Sequence, residues 1–304
     1  MTRGGGTGTH RPTRPLVMGV VNVTPDSFSD GGEWFDPAAA IAHGRELLAH
    51  GADIVDVGGE STRPGAQRPD VAEELRRVLP VVTALVDEGA VVSIDTMRAE
   101  VAQAALARGA AYVNDVSGGL ADPDMPALVA RAGVPIIAMH WRGHSARMQD
   151  RAVYDDVVAE VCAELMARVR ALTAAGIDPG SIVLDPGIGF AKTAEHNWGL
   201  LRGLDRLLEL GHRVLLGTSR KAFLGRVGRA PGAERAPMAR DTATAVTTAY
   251  AASRGVWAVR VHDVIGTVDA LDVAAELDPA HVAPSALAAP SELPSGSWTG
   301  GVSS

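Results

Sequence analysis

A chain of 304 residues with 46% apolar and 4% aromatic content can bury a large aliphatic core, and its length suits two average domains or one α/β barrel with extensions. The balance of 28 basic against 36 acidic residues, a net charge of −8, argues against nucleic acid or an anionic membrane as the main partner. The single cysteine, Cys162, excludes an intrachain disulfide framework and a cysteine-rich metal site. No apolar run approaches a membrane span and the opening MTRGGGTGTHRPTR has no apolar signal core, so a soluble cytoplasmic protein is expected.

Met18 to Gly32, MGVVNVTPDSFSDGG, joins an apolar strand to a polar loop loosened by Gly31 and Gly32. Alternation puts Met18, Val20 and Asn22 on one face and Gly19 and Val21 on the other, so the strand delivers a lone amide at its carboxyl end. Asp36 to His50 reads as a helix closed by Gly51, and Asp53 to Val57 as the second strand, ending in GGESTRPGA. A capping box of Asp70 and Glu73 starts a helix in which Val71, Leu75, Val78, Leu79, Val82 and Val86 recur at helical spacing. The third strand is Val91 to Asp95, a helix spans Arg98 to Arg108 before Gly109, and the fourth strand is Ala111 to Asp115. A helix around Asp124 to Ala132 leads through Gly133 to the fifth strand, Pro135 to His140.

The second half keeps the rhythm. Tyr154, Val157, Val158, Val161, Leu165, Val169 and Leu172 form one apolar stripe ahead of Gly176, with Cys162 read as a packed thiol and not a nucleophile. Ser181 to Asp185 is the sixth strand, Glu195 to Leu210 a helix, and Arg213 to Gly217 the seventh strand. A Gly/Arg/Pro-rich insertion from Gly225 to Arg240 precedes a helix at Asp241 to Arg254, the eighth strand at Val256 to His262 and a last helix at Val264 to Leu277. Residues 1–14 and the Ala/Pro/Ser/Gly-rich 279–304 are expected to be disordered extensions of one domain at 15–278.

Eight strand–helix pairs in a chain of this size predict a closed (β/α)8 barrel rather than an open doubly wound sheet. Polar or glycine-rich clusters end nearly every strand: Asn22, Glu60 to Arg63, Asp95, Asn114, His140, Asp185, Ser219 with Lys221, and Arg260 with His262. In a barrel these ends converge on one mouth. Parity agrees, since Ser93 with Asp95, Val183 with Asp185, and Ala258 with Arg260 and His262 share a face, while Ile94, Leu184, Val259 and Val261 would meet the helices. For each Asp or Asn alone, capping the following helix is an alternative role.

The segments NVTPDSFSDGG, DVGGESTRPGA, SIDT, NDVSGG, DPGIGFAKT, TSRKAFLG and RVHDV, in this order, resemble the dihydropteroate synthases of the folate pathway over about Leu16 to Leu277. The resemblance implies a transferase that joins 4-aminobenzoate to 6-hydroxymethyl-7,8-dihydropterin diphosphate with release of pyrophosphate, a sulfonamide target, and a homodimer to which Ala243 to Tyr250 contributes. It implies Asp185 on the pterin's amino-pyrimidinone edge, where a carboxylate accepts from two adjacent N–H groups, with Asn114 on the neighbouring edge, Asp95 on the far side, Met139 in the pocket, Lys221 on the ring and Arg260 stacked over its face.

No GxxxxGK[ST] loop is present to hold the diphosphate, and the resemblance gives that task to Asn22, Thr62, Arg63, Arg260 and His262, with Asn22 as the Mg2+ contact. Thr62, Pro64, Phe190 and Lys221 would wall the benzoate ring. Ser219 stands ahead of a short helix expected at Arg220 to Leu224, whose amides would receive the carboxylate. Thr24 to Gly32 is expected to close as a lid with Ser61 to Gln67, Phe28 covering the acceptor ring. Catalysis rests on Asn22, Arg63, Lys221, Arg260 and His262, with no covalent nucleophile. A pterin-dependent methyltransferase barrel, a sugar-phosphate barrel enzyme and a non-catalytic paralogue remain as other readings.

Overall fold

The computed structural model describes residues 14–24, 36–60, 68–143, 151–230 and 232–277. The aliphatic runs become eight parallel strands, each paired with its successor and the last with the first, so the barrel is closed. They are β1 (Leu16–Asn22), β2 (Ile54–Gly58), β3 (Val92–Asp95), β4 (Tyr112–Asp115), β5 (Ile136–Met139), β6 (Ile182–Asp185), β7 (Arg213–Leu216) and β8 (Ala258–Val261). Around them, among the described residues, lie α1 (Pro37–Ala49), α2 (Val71–Asp87), α3 (Ala99–Leu106), α4 (Met125–Ala132), α5 (Val157–Ala174), α6 (Ala194–Arg202), α7 (Leu204–Leu208), α8 (Ala222–Gly225), α9 (Asp241–Ser253) and α10 (Val264–Leu277). None of these helices is long and apolar enough to cross a membrane.

Strand parity sorts the core in two. Val17, Val21, Val55, Val57, Ile94, Leu184, Val259 and Val261 pack outward into one large cluster with the helices. Leu16, Met18, Ile54, Tyr112, Ile137, Val183, Leu215, Trp257 and Ala258 fill the barrel interior. Its base is closed by the Tyr112 and Trp257 rings, 6.1 Å apart, with the Arg213 guanidinium 5.1 Å from the Trp257 ring. With the lower interior filled by side chains, the barrel lumen opens toward the carboxyl ends of the strands.

Four details depart from the sequence expectation. Arg14, assigned to the N-terminal extension, is buried and donates to Asp53 Oδ2 at 2.8 Å, so the domain begins before residue 15. The helix expected over Glu195 to Leu210 is split into α6 and α7 at Gly203, where a Cβ would come within 2.8 Å of Val158 on α5. Half of the Asp70–Glu73 capping box forms: Asp70 accepts from Glu73 N at 2.8 Å, but the Glu73 carboxylate takes Arg76 and Arg77. The short helix expected at Arg220 to Leu224 is one turn at Ala222–Gly225 with Lys221 as its N-cap, so Ser219 does not open it.

Candidate active site

At the mouth, β2, β3 and β8 meet through one guanidinium, and β4 joins them through Asp56. Arg260 Nε donates to Asp56 Oδ2 at 2.6 Å and its Nη2 to Asp95 Oδ2 at 2.7 Å, while Asn114 Nδ2 donates to the same Asp56 oxygen at 2.9 Å. The strand register allows this: Gly58 lies opposite Asp95, and a Cβ on Gly58 would stand 3.3 Å from the Asp95 Cβ, so a glycine there leaves the space the carboxylate occupies. Burial pushes the Asp95 carboxyl up to about 7 against the pull of Arg260, and the charges of Asp56, Glu74 and Glu60 add to the rise. The Asp95 carboxyl therefore holds a proton near neutrality, which it would not do in water.

Across the mouth, Asp185 ends β6 beside Met139 of β5, its ladder partner. Both are buried, and burial raises the Asp185 carboxyl despite a 2.7 Å hydrogen bond from Gly187 N and the nearby charges of Lys221 and Arg260. Gly187 has φ +67, and a Cβ there would lie 2.5 Å from the His140 carbonyl oxygen. Replacing Gly187 with alanine is therefore expected to destabilise the fold by more than about 1 kcal/mol in urea unfolding and to displace the amide that supports Asp185.

That loop is tied down by a chain of residues to which the sequence motifs give no role. Lys192, buried, donates to Phe190 O at 3.1 Å and meets His140 Nδ1 at 3.0 Å, and His140 Nε2 meets Glu164 Oε2 at 3.0 Å. Burial lowers Lys192 to about 7 and lowers His140. The hydrogen bond from His140, with help from Arg142, holds Glu164 at about 2. A neutral His140 that accepts at Nδ1 from the ammonium and donates at Nε2 to the carboxylate satisfies all three groups. The sequence signal was weak, because His140 and Lys192 stand 52 residues apart.

Lys221 bridges to the acceptor side. Its Nζ sits 4.0 Å from the centroid of Phe190, a cation–π contact on a half-buried ring, so Phe190 is not ordinary core packing. Desolvation pulls the Lys221 ammonium down to about 8, opposed by Asp185 and Asp95. Before it, Arg220 adopts φ +57, unusual for a side chain with a Cβ. That conformation is over-determined: Arg220 pairs with Asp241 through bonds of 2.7 and 2.8 Å, its N–H donates to Thr244 Oγ1, and its carbonyl accepts from Arg240 Nη1 at 2.8 Å. Arg240 also binds Arg235 O and Glu234, so the Gly/Arg/Pro-rich segment anchors the SRK turn.

Ser219 Oγ accepts from His262 N at 3.1 Å and lies 2.8 Å from His262 Nδ1. When Oγ gives its own proton to Nδ1, the imidazole proton sits on Nε2, the tautomer that donates to an anion; Oγ also has a second lone pair with which to accept from Nδ1–H. Asn22 ends β1, between β2 and β8, and so borders the strands that carry Asp56 and His262. Among the described residues no group of three or more His, Cys, Asp or Glu could hold a metal ion. Asn22 offers one neutral side-chain oxygen, a donor that would suit a largely hydrated Mg2+ and not an all-protein cage.

Of the predicted residues, the fold brings Asn22, Asp95, Asn114, Met139, Asp185, Phe190, Ser219, Lys221, Arg260 and His262 to one mouth. Phe28, Thr62, Arg63 and Pro64, with the lid segments, lie outside the described residues. Asp56 is a further acid that none of the sequence motifs marks as a site. It shares the inner face with Ile54 and Gly58, so the parity applied to the third, sixth and eighth strands would have exposed it.

A barrel whose mouth holds the acids Asp95 and Asp185, the amides Asn22 and Asn114 and the cations Lys221 and Arg260, with Asp56 beneath them, fits a flat, donor-rich heterocycle with an anionic appendage. The family model described as pterin binding enzyme matches residues 18–262. The dihydropteroate synthase of Mycobacterium leprae is 59% identical over 255 residues, covering 83% of this chain and 90% of the relative. The Xanthomonas albilineans dihydropteroate synthase solved with 4-aminobenzoic acid is 47% identical, with a TM-score of 0.80 over 87% of this chain and 93% of that one. The same enzyme solved with 7,8-dihydropteroate gives 44% identity and a TM-score of 0.77 over 87% of this chain and 94% of that one. Fold, mouth and sequence agree: the chain belongs to the pterin-binding enzymes and, among them, to the dihydropteroate synthase family.

Proposed function

We propose that this chain condenses 6-hydroxymethyl-7,8-dihydropterin diphosphate with 4-aminobenzoate, giving 7,8-dihydropteroate and pyrophosphate. The observation that carries the reading is the Asp95–Arg260–Asp56–Asn114 network facing Asp185 across one barrel mouth. Asp185 accepts from the amino-pyrimidinone N–H groups, Asn114 reads the adjoining edge and Asp95 the far side, while Arg260 stacks on the ring face. His262, held by Ser219, donates through Nε2 to the departing pyrophosphate. Asn22 would hold Mg2+, which when bound neutralises diphosphate charge. The benzoate lies against Phe190, with Ser219 and Lys221 around it.

The reaction proceeds as a dissociative substitution. The bridging C–O bond breaks with its electron pair leaving on pyrophosphate, and the electron-rich dihydropterin stabilises the cationic methylene. The neutral aromatic amine then forms the C–N bond and loses one proton to solvent. No base or nucleophile is required, and Cys162, whose thiol burial raises, has no part. A pterin-dependent methyl transfer would leave the Ser219–His262 pair and the Lys221–Phe190 contact without a task. Assembly is as a homodimer through the late helices, a reading supported by Val246 on α9 and Val273 on α10, which are 66% and 58% exposed.

The test is pyrophosphate release with both substrates, repeated in excess chelator. Release that depends on both substrates and falls on chelation supports the reading. Full turnover in chelator would remove Mg2+ from the account, and no release with the dihydropterin diphosphate and 4-aminobenzoate would remove the function.

A further inference from the structure

We propose that Asp56 is a positioning residue of the reaction, acting through Arg260 and Asn114. The inference rests on the reading that those two residues bind the pterin. Asp56 lies below the mouth, in the middle of β2, and is fully buried. One of its oxygens, Oδ2, accepts from both Arg260 Nε at 2.6 Å and Asn114 Nδ2 at 2.9 Å. Its other oxygen, Oδ1, is buried with no hydrogen-bond partner among the described residues, as is Oγ of Ser93, its ladder neighbour on β3. Packing does not account for such a group, because burying a half-satisfied carboxylate costs free energy that the Ile54 position on the same face avoids.

What the carboxylate does supply is orientation. Held by Asp95 alone, the Arg260 guanidinium could swing about a single contact. Anchored at Nε by Asp56 and at Nη2 by Asp95, its plane is fixed over the mouth before the ring arrives. Asn114 is fixed likewise: only its Nδ2 can donate to a carboxylate, so its Oδ1 is the atom left to accept from a ring N–H. Asp56 also acts on Asp95. The groups facing Asp95 are Arg260 of β8, Asp56 of β2, Glu74 of α2 and Glu60 after β2, with Lys221 also in range. The Asp56 charge helps to keep that carboxyl high, so the acceptor form of Asp95 grows in as pH rises through about 7.

The experiment is Asp56→Asn, isosteric and uncharged, compared with the wild-type protein in steady-state kinetics between pH 5 and 9. Expected is a loss of about tenfold or more in kcat/KM for the dihydropterin diphosphate, the value of a charge-assisted hydrogen bond. The KM for 4-aminobenzoate should be unchanged, and the acid limb of the profile should move to lower pH, which a merely structural residue would not cause. Equal pterin kinetics and an unmoved acid limb in a folded variant overturn the proposal. A wild-type protein that does not turn over the pterin overturns the underlying reading instead. If Asp56→Asn does not fold, Asp95→Asn carries the test, because it leaves Asp56 intact. The Arg260 Nε–H should then stay protected from solvent exchange by NMR, and its loss of protection overturns the proposal.

Discussion

Replacing Arg260 with alanine is expected to cost about 3–5 kcal/mol of fold stability at pH 7.5 and to abolish pterin binding. The size follows from what is left behind: Asp56, fully buried, and Asp95, largely buried, both lose the cation that lies 2.6 and 2.7 Å from them. The pH dependence has a definite sign. Arg260 pulls the Asp95 carboxyl down, so its removal lets that pKa rise further above the unfolded value. The folded variant then binds more protons than the unfolded chain, and its stability falls as pH rises. Urea unfolding at pH 7.5 and 5.5 should show the deficit shrinking at the lower pH. A deficit below about 1 kcal/mol at pH 7.5 would contradict the shared ion pair as described.

Asp185→Asn should separate binding from stability. Calorimetry is expected to show a loss of about 1.5–3 kcal/mol in pterin binding, the worth of hydrogen bonds to a charged acceptor. The fold should not suffer in parallel, because burial raises the Asp185 carboxyl and its charged form is disfavoured in the native state. A raised carboxyl makes the wild-type protein less stable as pH climbs through its folded pKa, a penalty that asparagine lacks. The variant should therefore gain on the wild type in thermal unfolding as pH rises from below the ordinary carboxyl range. Unchanged pterin affinity would contradict the assignment of Asp185 to the ring edge.

The contrast between these variants reflects what could be read from the chain before its fold. Alternation along each strand was enough to send Asp95, Asp185, Arg260 and His262 to one interior face, and the closed order of eight strands brought them together. Local signals sufficed because a strand's period of two is set by its backbone. What was not legible depends on partners far away. The break at Gly203 exists because Val158 crosses there, and Arg220 tolerates φ +57 because Asp241, Thr244 and Arg240 hold it. Asp56 escaped notice because it sits inside an aliphatic run, where a second acid looked like part of the strand and not of the mouth. The Lys192–His140–Glu164 chain joins β5 to α5 and the loop after β6, a meeting that only the closed barrel creates.

The most direct measurement is product analysis after mixing the protein with 6-hydroxymethyl-7,8-dihydropterin diphosphate and 4-aminobenzoate. Mass spectrometry should find 7,8-dihydropteroate formed one for one with released pyrophosphate. Pyrophosphate without the carbon–nitrogen product, or neither, would contradict the account.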